Sequence, residues 1–568
     1  MSGNQALGEE EFRMKPFSSL SVRRIATGLI VAFVSTALAA YAQTYTPLYN
    51  YGSTTGDPIN PSPFSLMSQG HDGRIYSTSA FGGSHSGGAA YAITTGGSLT
   101  VLYNFPAYPG PTAPESGLTL STDGFFYGTT TSGGAHIVGT VFKLSDAGAY
   151  TNLWDFTGTG TDEGNPQAPL VLGTDLNMYG TTDGVYSGTY GTAFKITSKG
   201  KLTTIHPFKS TDGAVPYAIL LGLDANFYGV SRLGGANNLG AILKMTKAGK
   251  VTVLHSFAGT AGNDGSLPIG GLVQANDGTL YGTTYGGGTK NWGTVFKIDP
   301  TGKNYLVLHN FDRTADVNDG IQPLGGLALG TDGNVYGTTG GGGHQNSGAL
   351  FRVTPAGAYS TVYSFCAVAG CKDGFFPQTG MVQHTNGKFY GATESGGPTL
   401  NGGEFFSLDM GLGPFVSLVS VWGKVSDTIE VLGQGLTGTT SVKLGGTSAT
   451  FSVVSDTYLT AKVPAGSSGF LTVTAPSGTL TSSRKFFVTP TITSFTPASG
   501  PVGTQVIVTG KGLIQATKVT FGSKSASFVV NSDTQVTATV PAGAVTNKIS
   551  ITTPGGKASS KTKFTVTP

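Results

Sequence analysis

From Gly271 to Phe311, apolar and polar residues alternate in four short runs separated by turn residues. GLVQA is followed by Asn-Asp-Gly, TLYGTTY by a glycine-rich loop, GTVFKI by Pro-Thr-Gly, and NYLVLHNF closes the unit. Alternation bounded by Gly, Asp and Asn clusters predicts four antiparallel meander strands. The unit recurs along the chain. Its second-strand tyrosine falls at Tyr76, Tyr127, Tyr179, Tyr228, Tyr281, Tyr336 and Tyr390, with spacings of 51, 52, 49, 53, 55 and 54 residues. Fourth strands end at Phe105, Phe156, Phe208, Phe257, Phe311 and Phe365. No such strand follows the last third strand, around Phe406, yet TPLYNY (Thr46 to Tyr51) stands alone before the first unit. One strand is missing at one end and spare at the other. That mismatch predicts a closed ring of seven four-stranded blades, with the N-terminal strand completing the last. An open solenoid would need end caps and leaves the mismatch without a reason.

From Pro414 the pattern changes to strands rich in Thr, Val and Ser. Two copies lie in tandem at an offset of 77 residues, which pairs Gly433 with Gly510, Phe451 with Phe528, Asp456 with Asp533 and Pro464 with Pro541. Seven short strands in such a length suit an immunoglobulin-like sandwich. The expected fold class is therefore all-β: a seven-bladed β-propeller over 43–410, closed by 46–51, then sandwiches over 414–488 and 491–568.

Ahead of these, Ile25 to Ala42 is an apolar run behind Arg23 and Arg24, ending in Ala40-Tyr41-Ala42. This predicts a signal peptide over 1–42 and an exported protein, extracellular or at the cell surface, with no membrane span in the mature chain. An uncleaved anchor is the alternative. Glu9, Glu10 and Glu11 are foreign to a basic leader, which makes Met14 an alternative start to Met1. The two cysteines, Cys366 and Cys371, share the loop CAVAGC. In an oxidising compartment they are expected to form a disulfide.

LYGTT, GG, GTVFK and LHSF at this period resemble the GloVer tandem repeats of exported bacterial proteins, over about residues 46–410. The resemblance implies an extracellular or surface-associated protein and no established activity. The second C-terminal copy, TITSFTPASGPVGTQVIVTGKGL through VPAGA to TPGG, resembles the IPT/TIG family. The first departs from it where Trp422-Gly423-Lys424-Val425 replaces Ser499 to Val502, as would suit packing on the propeller. Such domains imply spacers or ligand-binding modules.

Charged residues make up only 11% of the chain and the net charge is +3. With no basic stripe, nucleic acid is excluded as a partner. A monomer is expected.

A repeat separates scaffold from function, because a residue that breaks the pattern is the better functional candidate. His206, His255 and His309 share the fourth-strand slot with Tyr49, Tyr103, Trp154 and Tyr363, and read as blade packing. An acid stands four residues before a proline that opens the first strand: Asp57, Asp162, Asp212, Asp264, Asp319 and Asp373. If first strands line the axis, these acids ring a channel mouth and could bind a polar ligand or cation. Calcium is the one ion considered, with no other cofactor expected and the metal left open. The alternative is that each side chain accepts backbone N–H bonds in a tight turn. Trp292 breaks the pattern held by Val138 and Leu239, and could stack on a sugar; packing between loops is its alternative. His85, His136 and His344 lie in variable loops, and Glu394 and Glu404 share the last unit. No catalytic residues are assigned. The opposite face, with its short Asp-Gly turns, offers little to recognise.

The resulting expectation is a non-catalytic surface or extracellular protein that binds a glycan or a protein through one propeller face. The alternatives are a propeller lyase or hydrolase acting on polysaccharide, and a structural spacer in a surface layer.

Overall fold

The computed structural model describes residues 43–62, 65–159, 162–184, 189–313, 318–398, 402–466 and 468–568. The expected leader, 1–42, lies outside them, together with both alternative starts. Among the described residues the chain is built of strands, with 3-10 turns only at Gly259–Gly262 and His344–Asn346.

Seven four-stranded antiparallel sheets form a propeller-like ring. In the unit that set the pattern, the strands are Val273–Gln274, Leu280–Thr284, Thr294–Ile298 and Leu306–Asn310, here called inner, second, third and outer. The recurring glycine and phenylalanine have one steric cause. A Cβ on Gly282 would come within 2.5 Å of the Phe296 ring, and one on Gly128 within 2.6 Å of Phe142. The third-strand ring therefore lies flat over a second strand that has no side chain there. The marker tyrosine is buried between sheets, while its hydroxyl reaches the turn below. Tyr76, Tyr127, Tyr179, Tyr228 and Tyr336 donate to Asp72, Asp123, Asp175, Asp224 and Asp332 at 2.6–3.0 Å.

Each sheet buries apolar side chains against the next. Tyr76 and Phe126 stack across the first boundary at 4.0 Å, and Tyr336 and Phe389 meet across the sixth at 4.3 Å. The ring closes through the N-terminal strand. Thr44–Asn50 pairs antiparallel with Glu404–Asp409, and Tyr51, Tyr91, Tyr390 and Phe405 share the cluster between last and first sheets. Cys366 and Cys371 are disulfide-bonded.

The C-terminal copies are sandwiches of a four- and a five-stranded sheet with the same strand order. Each has its own core, centred on Val431, Leu459 and Phe486 in the first and on Val508, Val536 and Phe564 in the second.

The first sandwich packs on the ring at the turns joining inner to second strands, here called the lower face. His71 stacks on Tyr458 at 4.0 Å and lies 3.2 Å from Glu430. Asn276 donates to the Ser483 carbonyl at 2.9 Å, and Gln434 donates to Thr385 at 3.2 Å. The expectation that this face has little to recognise is thus overturned: it is the face that the chain's own next domain recognises. The upper face carries the second-to-third and outer-to-inner connections.

Candidate functional site

The six acids do not ring a channel mouth. Each turns outward to the outer strand and meets the aromatic or imidazole group in the slot read as packing. Tyr49 donates to Asp57 at 2.7 Å, Trp154 to Asp162 at 3.2 Å and Tyr363 to Asp373 at 2.6 Å. The Nε2 atoms of His206, His255 and His309 lie 3.1, 2.8 and 3.1 Å from Asp212, Asp264 and Asp319. Backbone N–H groups add to this, from Thr54 to Asp57, Ala258 to Asp264 and Ala367 to Asp373. Burial pushes Asp264 upward, but hydrogen bonds from His255, Tyr305 and Ala258 outweigh it and hold the carboxyl below its ordinary value. At Asp162 burial prevails and the shift is upward. The outer-strand rings stack on the next unit as well, His255 on Tyr305 and His309 on Tyr359, both at 3.8 Å. Acid and ring therefore tie each outer strand to the loop that leaves it. A carboxylate with donors on both oxygens is stabilised as an anion without a metal. Among the described residues, no three His, Cys, Asp or Glu side chains converge to hold an ion.

Trp292 is not a free indole. It is half-buried against the cluster of Tyr281, Val295 and Phe311, as Val138 and Leu239 are in their own clusters. Its carbonyl accepts the Gln322 N–H at 2.8 Å. His85, His136 and His344 are exposed on loops of three different units. Glu404 and Glu394 serve different surroundings. Glu404 is buried, and burial followed by the Asp373 charge raises its pKa to about 8. In four other units the outer-strand acceptor takes a backbone N–H, from Ser84, Ala135, Ala236 or Thr289. Pro398 stands at that place in the last unit and has no N–H, which leaves Asn50 Oδ1 buried without a partner beside Glu404. A protonated carboxyl suits that missing donor.

The blade-specific chemistry lies at two other positions of the repeat. Four residues after the marker tyrosine, at the end of the second strand, come Ala80, Thr131, Asp183, Arg232, Tyr285, Gly340 and Glu394. Immediately after the proline come Ser62, Glu115, Gln167, Tyr217, Ile269, Leu324 and Gln378. The residue before that proline is left-handed in every unit, including non-glycine Val215 at φ 56° and Phe376 at φ 55°. This backbone, unusual for bulky side chains, turns the chain into the inner strand and sets the following residue at the channel's upper end. Tyr217, Ile269 and Leu324 accordingly line the axial cavity.

Three of the four charged members, Glu115, Asp183 and Arg232, gather in one sector, and the fourth, Glu394, belongs to the last unit. Asp183 is 9% exposed, and its Oδ1 is buried without a hydrogen-bond partner. Burial first, then the charge of Glu115, raises its pKa to about 8, with Arg232 opposing. Burial raises Glu115 to about 6. Arg232 also favours ionised Tyr217, so these four side chains share one electrostatic neighbourhood. On loops of the first three units, Phe81 is 56% and Tyr108 62% exposed, with Ile137 and Tyr190 exposed as well. These residues were not among the sequence candidates. The signal was present as departures from Thr or Ala after the second strand, but the positions gain meaning only once they are known to face the axis.

Below the mouth, inner strands and the segments leading into them, from all seven units, line a cavity of about 460 Å³ with largely apolar walls. Its lower end is formed by Leu418 to Trp422 and Arg484 of the first sandwich. Trp422 is buried and stacks on Phe487 at 4.7 Å. The altered opening loop of that domain is therefore part of the floor.

Among solved structures, the chain is similar to a catalytically inactive virginiamycin B lyase from Staphylococcus aureus with quinupristin, at 15% identity and TM-score 0.43, covering 64% of this chain and 99% of that one. It is similar to a fungal alcohol oxidase in complex with copper at 12% identity and TM-score 0.38, covering 92% and 100%. A surface glycan-binding protein from Prevotella bryantii matches at 17% identity and TM-score 0.20, covering 27% and 38%. At such scores these likenesses carry no inference about function. No curated protein matches the chain. The IPT/TIG domain matches residues 490–566, and the Gloeobacter/Verrucomicrobia repeat matches residues 62–268 and 222–454. With well over half of its length covered by that repeat, the chain belongs to the Gloeobacter/Verrucomicrobia repeat family and carries a C-terminal IPT/TIG domain.

Proposed function

We propose that this is an exported surface or extracellular binding protein that recognises a glycan or another protein, without chemistry of its own, through the upper face of the ring. The repeat, the IPT/TIG domain and the disulfide fit an extracellular setting. The observation that carries the reading is asymmetry. Specific recognition needs an uneven set of polar and apolar groups in a concavity. Glu115, Asp183, Tyr217 and Arg232 are concentrated in one sector, beside loops exposing Phe81 and Tyr108. Exposed aromatic rings with hydrogen-bonding neighbours suit a sugar face or a protein hot spot. The test is saturable binding to an oligosaccharide array, repeated with Tyr108→Ala and Asp183→Asn. Each variant should weaken binding at least tenfold, with the melting temperature unchanged in Tyr108→Ala and unchanged or raised in Asp183→Asn at pH 6. Binding unaffected by both, but retained by the isolated segment 414–568, would move recognition to the sandwiches.

A second reading rests on Asp183. A carboxyl with a pKa near 8 is largely protonated at neutral pH and can act as a proton donor. On that reading the protein is a lyase or hydrolase of polysaccharide. Turnover on a polysaccharide panel, abolished by Asp183→Asn, would establish it in place of simple binding.

A further inference from the structure

We propose that the lower end of the axial cavity is an anion-binding site in which Arg484 recognises the carboxylate of a small, largely apolar molecule. Arg484 is the one charged residue in the wall of the 460 Å³ cavity. Its Nε is buried without a hydrogen-bond partner, and among the described residues it forms no ion pair. Part of the residue stays accessible, as a cavity wall must, while enclosure of the guanidinium lowers its pKa through desolvation alone. Arginine keeps its charge even so. A buried charge without a partner is among the costliest arrangements in a folded protein.

The position is enforced. Residues 482–484 bulge opposite Leu471, and Ser482 Oγ holds the bulge by accepting the Leu471 N–H and donating to the Arg484 carbonyl at 2.7 Å. On either side, the Ser483 carbonyl and the Lys485 N–H are both bonded to Asn276 of the ring. The arginine is thus presented to the axis by the docking of the domain.

The second sandwich supplies an internal control. It has the same bulge, in which Ser560 accepts the Ile549 N–H and donates to the Thr562 carbonyl at 2.6 Å. There an exposed threonine holds the equivalent place. The sandwich fold therefore does not need an arginine, and the first copy departs from its sister at the residue that faces the cavity.

The walls choose the ligand class. A guanidinium fork satisfies one carboxylate bidentately, whereas a phosphate dianion would need further donors that the leucines and valines here do not offer. The volume lies within the range of small-molecule sites, roughly 300–1,000 Å³. An apolar body would cover the inner strands while its anionic end meets Arg484. This inference does not depend on recognition by the upper face.

The experiment uses the full chain and decanoate below its micellar range, with decanol and inorganic phosphate at equal concentrations as controls. Decanoate should bind saturably by calorimetry and raise the melting temperature, and the two controls should not. Arg484→Met should weaken decanoate binding at least tenfold and, without ligand, melt at or above the parent temperature. Arg484→Thr, the sister domain's residue, should behave alike and replaces it should the methionine misfold. An unmoved parent, equal binding by both variants, or stabilisation by decanol overturns the site. Stabilisation by phosphate alone overturns the carboxylate class. Variants less stable than the ligand-free parent would show that the guanidinium is already satisfied, which also overturns it.

Discussion

The two faces of the ring come from the same repeated unit, yet one is filled by the chain itself and the other is left open. On the lower face the residue before the turn Asp is threonine in units such as Thr122, Thr174 and Thr331, but His71 and Asn276 in two others. Those two departures contact the first sandwich. On the upper face the departures include Glu115, Asp183 and Arg232, and there Asp183 keeps an oxygen without a partner. Departures from the repeat mark recognition on both faces. What differs is satisfaction: below, His71 and Asn276 have found partners in the first sandwich, and above, Asp183 has not.

The largest effect should come from stripping the lower face. Removing 414–568 would uncover the apolar surface where Leu432 joins Tyr76 and Phe126. The remaining ring should melt well below the parent and self-associate in size-exclusion chromatography, while removal of 490–568 alone leaves the ring transition in place. Equal melting of both truncations would reduce the lower face to a point of attachment.

Next comes the contrast between satisfied and unsatisfied acids. Asp264→Asn leaves His255, Tyr305 and the Ala258 N–H around a neutral amide. Hydrogen bonds to charged groups contribute about 1.5–3 kcal/mol each, so chemical denaturation should show a loss of about that size, with no change on adding calcium. A calcium-dependent midpoint would reinstate the acids as an ion site.

Asn276→Ala should cost about 1–2 kcal/mol, the range for two ordinary hydrogen bonds, and Thr122→Ala at the matching place less than about 0.5 kcal/mol. Equal effects would mean that the docking contact is not specific.

The last contrast is the pH slope, which has opposite signs for the two kinds of acid. Asp183 titrates near 8 when folded, against an ordinary 3.8, so the folded state holds its proton more tightly. Its contribution is fully present below about pH 4 and is lost as pH rises through 8. Asp264 is lowered, so its contribution is present above the ordinary carboxylate range and lost as pH falls below it. Asp183→Asn should flatten the decline in melting temperature between about pH 4 and 8, and Asp264→Asn the acid one. A decline unchanged in Asp183→Asn would show that this carboxyl is solvated.

Much of the molecule was legible beforehand because its determinants are local. The alternation around Tyr281 and Phe296, the Asp-Gly turns and the glycine under the third-strand phenylalanines all act within one unit. The spare strand at Thr46 and the vacant place after Phe406 predicted the pairing of Thr44–Asn50 with Glu404–Asp409. The site was less legible. Asp264 and His255 stand nine residues apart in the chain, and spacing does not distinguish an outward from an inward direction, so their pairing emerges only in the fold.

The sequence by itself determined the strand pattern, the repeat, the tandem sandwiches and the positions that break the repeat. Only the tertiary structure decided what the breaks do. Ring closure brings residues from different units around one axis, as with Glu115, Asp183 and Arg232, and docking of the first sandwich carries Arg484 to its lower end. Local alternation specifies a strand because its hydrogen bonds and its neighbours' side chains lie within a few residues. Desolvation and charge depend on everything nearby in space, whatever its distance along the chain, and so appear only when the ring is closed.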